Sequence, residues 1–167
     1  CSWHAPSVAR HPQPVNREIG EASPYFPYFL YFLLISLISL FLWPGSGLLL
    51  IADDEEAVRV VAKEILERQG FTTLVAVDGR EAVDLFTAHH DKVAAALIDF
   101  TMPVINGQEV METMRAMRPD LPVIITSGYS EEDIMERFHE SPPTAIIKKP
   151  YRSRDLVLLM KKVLGGS

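Results

Sequence analysis

A chain of 167 residues with 48% apolar side chains holds enough hydrophobic material for one complete core plus an appendage. Its formal charge of −6 resides in residues 48–167, where 20 acidic side chains face 14 basic ones, whereas residues 1–47 sum to zero. A domain this acidic has no general attraction for nucleic acid, which removes direct nucleic-acid binding from the expected functions. The single cysteine, Cys1, cannot form an internal disulfide and fits a reducing compartment.

In chain order, residues 1–23 form a polar segment with several prolines, and residues 24–43 an uncharged apolar one. From position 27 to 43 almost every residue is Leu, Ile, Phe or Tyr, and a helix there would be about 26 Å long, nearly the thickness of a bilayer core. Ser23 suits an N-cap and Pro24 or Pro27 a first turn, with Tyr25, Tyr28 and Tyr31 at one interface and Trp43 at the other. The expectation is a transmembrane helix over 24–43. A helix lying in the interface, one buried against a partner, or a segment foreign to the natural protein are the alternatives. A cleaved signal peptide fits less well, because the apolar run is too long and lacks a small-x-small site. Arg10 and Arg17 before the run balance Arg59 and Lys63 after it, so flanking charge sets no orientation. Residues 44–47, rich in Gly and Pro, then read as a linker to a domain over 48–167.

Within that domain, strand-like and helical patterns alternate five times. Residues 48–52 predict a buried strand, and Val58, Val61, Ala62, Ile65 and Leu66 follow helical spacing up to a stop at Gly70. A second strand is predicted over 72–77, a turn at Asp78 and Gly79, and a helix through Ala82, Val83, Leu85 and Phe86 to about His89. Residues 94–99 predict the third strand. Asn106 and Gly107 lead into a helix with Val110, Met111, Met114 and Met117 on its core side. The fourth strand is expected over 123–127, a short helix over 131–138, the fifth strand over 145–148, and a closing helix over 153–164. Five units of this size predict an α/β fold: a five-stranded parallel sheet with right-handed crossovers, helices on both faces and flavodoxin-like order 2-1-3-4-5.

Ligands of such sheets sit at the carboxyl ends of the strands, next to the switch point between strands one and three. Asp53 and Asp54 follow the first strand, with Glu55 beside them, Asp99 ends the third, and Lys149 follows the fifth. Crowded carboxylates repel one another unless a cation joins them, and a lysine arriving on another strand suits a phosphate or other anion. Taken singly, Asp53, Asp54 and Glu55 read more readily as charges at the start of a helix, and Asp99 as an ordinary turn residue. Four chemistry-bearing positions sharing one sheet edge argue for a site.

The runs Ile51-Ala52-Asp53-Asp54-Glu55-Glu56, Leu97-Ile98-Asp99-Phe100-Thr101-Met102-Pro103, Asn106-Gly107, Thr126-Ser127-Gly128-Tyr129 and Lys148-Lys149-Pro150-Tyr151 resemble the response-regulator receiver domain of two-component signalling. The wording is most similar to receivers at the C-terminus of hybrid sensor histidine kinases. The resemblance implies that Asp99 accepts a phosphoryl group from phosphohistidine, with a histidine kinase or histidine phosphotransfer protein as partner. It implies Mg²⁺ as cofactor, bound directly by Asp54 and Asp99, through water by Asp53, and by the backbone carbonyl of Thr101. Lys149 and Ser127 are then expected to contact the phosphoryl oxygens. The receiver is expected on the cytoplasmic side, anchored to the inner membrane if 24–43 spans, and with no output module after the last helix it signals through a downstream protein. The family's switch aromatic is replaced by Ile146, which cannot form the same coupling to Ser127. Two rivals remain: a haloacid-dehalogenase-like phosphohydrolase, whose second Asp is Thr101 here, and a degenerate receiver that only binds protein.

Overall fold

The computed structural model describes residues 45–138 and 141–165. Its elements run β1 (Leu48–Ala52), α1 (Glu56–Arg68), β2 (Thr72–Ala76), α2 (Gly79–His89), β3 (Val93–Asp99), α3 (Gly107–Met117), β4 (Val123–Ser127), α4 (Glu131–Arg137), β5 (Ala145–Lys148) and α5 (Ser153–Leu164). The strands form one parallel sheet in the expected order, β2-β1-β3-β4-β5. The apolar segment 24–43 lies outside the described residues, and among these no helix is long and apolar enough to cross a membrane.

Side chains alternate between the two faces of a strand, and the core divides accordingly. Leu50, Ile98 and Ile125 pack on one face with Phe86 of α2, Val110, Met111 and Met114 of α3 and Ile134 of α4. Leu49, Ile51, Leu97 and Ile124 pack on the other with Ala62 and Leu66 of α1 and Leu156 and Met160 of α5. The central strands therefore read as unbroken apolar runs, because both of their faces are covered. Phe86 is fully buried between sheet and helices, so Phe86→Ala removes a ring from a site that can collapse only partly. Urea unfolding of this variant should show a loss of about 3–5 kcal/mol.

Local signals set the ends of the helices. Asp78 is the N-cap of α2, its side chain accepting the Glu81 N–H at 2.8 Å, so the expected Asp78-Gly79 turn is instead the entry into that helix. Asn106 caps α3 by accepting the Glu109 N–H at 3.0 Å. Ser130 and Asp133 form a reciprocal capping box on α4. The approach to β5 is tied to α3 by Arg115, which donates to the Ser141 hydroxyl at 3.0 Å and the Pro142 carbonyl at 2.7 Å. Beyond β5, the Lys149 N–H donates to the Ser127 carbonyl at 2.7 Å, fixing the backbone from which Lys149 reaches inward.

Candidate phosphoryl and metal site

The register brings the carboxyl ends of the central strands together. Ala52 pairs with Ile98, Asp99 with Thr126 and Ser127 with Lys148. One oxygen from each of Asp53, Asp54 and Asp99 lies within 4.8 Å of the others. Asp53 and Asp99 are 3% and 5% exposed, while Asp54 faces solvent. The Lys149 ammonium bridges the two buried carboxylates, 2.7 Å from Asp53 Oδ2 and 2.7 Å from Asp99 Oδ1, with Glu55 Oε1 at 3.5 Å. Asp53, Asp54, Asp99 and Lys149 thus meet across three strand ends, as their spacing predicts.

Both buried carboxylates have further hydrogen-bond partners. Asp53 Oδ1 accepts the Glu55 N–H at 3.0 Å, and the Asp53 carbonyl accepts Arg59 Nη1 at 2.7 Å. Asp99 Oδ2 accepts the Thr101 N–H at 3.0 Å. Thr126 donates its hydroxyl to Asp99 Oδ1 at 3.3 Å. Sequence reasoning missed Thr126; its pairing opposite Asp99 in the ladder is the signal that finds it. Ser127, equally buried, has its hydroxyl turned to its own loop, where it accepts the Tyr129 N–H at 3.0 Å. Thr101 borders the cleft with its side chain exposed.

Electrostatics follow from burial and pairing. Burial pushes the Asp99 carboxyl above its ordinary range; the hydrogen bond and charge of Lys149 pull against this, and the Asp53 charge adds to it. Burial alone would lower the Lys149 ammonium, but Asp53 and Asp99 outweigh it and hold the lysine above its usual value. Burial, with help from the Asp53 charge, pushes the Tyr151 phenol up to about 12, so it stays neutral beside the site.

The site opens into a cleft of about 930 Å³ walled by Ala57, Val58 and Val61 of α1, Gly128 and Tyr129 after β4, and Pro150 and Tyr151 after β5. Gly107, at the first turn of α3, lies against the Asp99 carbonyl, where any Cβ would collide. Next to it, Val104 adopts φ 71° in a tight turn closed by the Ile105 N–H on the Pro103 carbonyl at 2.8 Å. Ile146 is half-buried and packs on the α2–α4 side of the core. Tyr129, one of two tyrosines walling the cleft, lies edge-on to Phe100 at 6.3 Å, with the Arg137 guanidinium 5.9 Å from its ring centre.

Sheet order and site together define a flavodoxin-like domain whose switch point carries a lysine-bridged acidic cluster. The chain belongs to the response regulator receiver domain family of two-component signalling, whose family model matches residues 49–161. It is 28% identical over 120 residues to the sensor kinase CckA of Brucella abortus, a match covering 72% of this chain and 13% of that one. It is 27% identical over 116 residues to the sporulation initiation phosphotransferase F of Bacillus subtilis, covering 70% and 92% respectively. Among solved structures, a receiver domain protein from Methanospirillum hungatei is 28% identical with a TM-score of 0.65, covering 72% of this chain and 95% of that one.

Proposed function

We propose that this domain takes a phosphoryl group from the phosphohistidine of a histidine kinase or histidine phosphotransfer protein onto Asp99, and that phosphorylation alters a protein-binding face. The observation that carries this reading is the Lys149 ammonium at 2.7 Å from Asp99, a cation already stationed where phosphoryl charge would arrive. Similarity to a sporulation initiation phosphotransferase supports the same chemistry.

In the transfer, an Asp99 oxygen bonds to phosphorus, the phosphorus–nitrogen bond breaks, and its electron pair stays on the imidazole. Lys149 pairs with a phosphoryl oxygen, and Ser127 gives up the Tyr129 N–H to donate its hydroxyl to another. The three carboxylates form an all-oxygen donor set of the kind Mg²⁺ takes; Asp54 and Asp99 would hold the ion directly, Asp53 would act through water, and the Thr101 carbonyl would complete the protein's share. When bound, the ion supplies charge neutralisation on the nucleophile and the transferred oxygens. Movement of Ser127 pulls on Tyr129, and through its ring on Phe100 and Arg137 of α4, which offers a route to the surface that does not use position 146.

The test is incubation with acetyl phosphate and Mg²⁺. A labile acyl phosphate formed in a single slow turnover is the expected product. Rapid multiple turnover of phosphomonoesters would instead favour the phosphohydrolase, and no adduct at all a pure binding module. Because Asp54 is exposed, Asp54→Asn should leave the fold intact. Isothermal titration should show Mg²⁺ affinity falling by at least the roughly tenfold that loss of an outer-shell partner produces.

A further inference from the structure

Two adjacent hydroxyls end β4, and alternation along the strand sends them to opposite faces. Ser127 bonds to its own loop, whereas Thr126 shares a face with Asp99 and donates to it. The Thr126 side chain has little freedom, since the residue is 1% exposed and its carbonyl accepts the Phe100 N–H at 2.8 Å. We infer that Thr126 is a positioning residue for the phosphoacceptor, its hydroxyl holding Asp99 Oδ1 and favouring the free carboxylate over the acyl phosphate, so that it shortens the life of the phosphorylated state. This inference rests on the reading of Asp99 as the phosphoacceptor.

In the free protein the Asp99 carboxylate spreads a full negative charge over two oxygens, held by Thr101 on Oδ2 and by Lys149 and Thr126 on Oδ1. In the acyl phosphate one of these oxygens is bonded to phosphorus and the other is a neutral carbonyl, a weaker acceptor. During hydrolysis the water oxygen bonds to phosphorus and the bond from phosphorus to the Asp99 oxygen breaks. The electron pair returns to the carboxylate, and the water protons pass to the released phosphate and solvent. A donor fixed on this carboxylate grows stronger as the charge returns, and therefore lowers the barrier to loss of the phosphoryl group. At 3.3 Å the bond is long for a hydroxyl donor, so its differential effect is modest, about threefold to tenfold in rate.

The experiment uses the full chain, loaded with acetyl phosphate and Mg²⁺ and then freed of the donor, with decay of the Asp99 adduct followed by mass spectrometry. Thr126→Val, which keeps shape and removes the hydroxyl, is expected to lengthen the lifetime about threefold to tenfold, and Thr126→Ser to restore the parent value. Thr126→Ala gives the same comparison should the valine fail to fold. In the metal-free, unphosphorylated protein at neutral pH, the ¹³Cγ resonance of Asp99 should move in the valine or alanine variant and return in the serine one. Unchanged lifetimes in the valine and alanine variants, or a serine variant that behaves like the valine, overturn the role of Thr126 while leaving Asp99 as phosphoacceptor. No adduct on the parent protein overturns both.

Discussion

Asp99→Asn should abolish phosphoryl acceptance and yet make the metal-free fold more resistant to urea at neutral pH. The amide is nearly isosteric with the carboxylate but cannot attack phosphorus, so the adduct with acetyl phosphate should fall below detection, by roughly a thousandfold or more. The stability effect follows from the sign of the shift. Burial outweighs the pull of Lys149 and leaves the Asp99 carboxyl above its ordinary range in the folded state. The unfolded chain therefore releases this proton at lower pH than the folded one does. Stability falls as pH rises from the unfolded value through the folded value, so a penalty is in force at neutral pH, which lies above the unfolded value. A neutral amide removes that penalty while its oxygen still accepts from Lys149. Urea midpoints of parent and variant should accordingly separate at neutral pH and converge in acid. An adduct on Asp99→Asn would show that another residue receives the phosphoryl group, and a variant less stable than its parent at neutral pH would show that pairing, not burial, dominates this carboxyl.

The fold was legible where pattern and packing point the same way. The bounds of β1, β4, β5 and α5 match the expected ones because apolar runs bounded by Gly, Pro or charge coincide with fully covered strands and an amphipathic helix. They depart where side chains intervene. Strand β2 stops at Ala76 because the Val77 N–H turns to Glu81 Oε2 at 2.7 Å, and β3 starts one residue early at the buried Val93. Helix α4 ends at Arg137, since Phe138 leaves helical geometry to place its ring edge-on to Phe100 at 6.0 Å. Asp53, Asp54, Asp99 and Lys149 were legible because a parallel sheet gathers the carboxyl ends of its strands. Thr126 was not, because a β-branched residue in a buried strand reads as core filler until the register sets it opposite Asp99. Nor does spacing show that a single ammonium spans both buried carboxylates, which requires the side-chain geometry.

That ammonium governs the second large effect. Lys149→Met should lower the unfolding free energy of the metal-free domain by about 2–4 kcal/mol at neutral pH, somewhat below the full loss seen when a wholly buried pair is broken, since the lysine side chain is 16% exposed. Methionine fills the space of the stem but leaves Asp53 and Asp99 facing each other, both desolvated and without a cation. Two conditions should shrink the deficit. Acid protonates one of the carboxylates and ends the repulsion, so the gap between variant and parent closes as pH falls through the carboxylate range. Excess Mg²⁺ places a different cation among the same oxygens and restores part of the lost stability by binding only the folded state. In the parent, Lys149 sits above its ordinary value, so its contribution is complete below the unfolded lysine pKa of about 10.4 and is lost only as pH rises through the folded value. Urea unfolding in chelator, in acid and in Mg²⁺ distinguishes this account from simple loss of packing: a deficit that stays constant across all three conditions would mean that the stem of Lys149, rather than its charge, supports the fold.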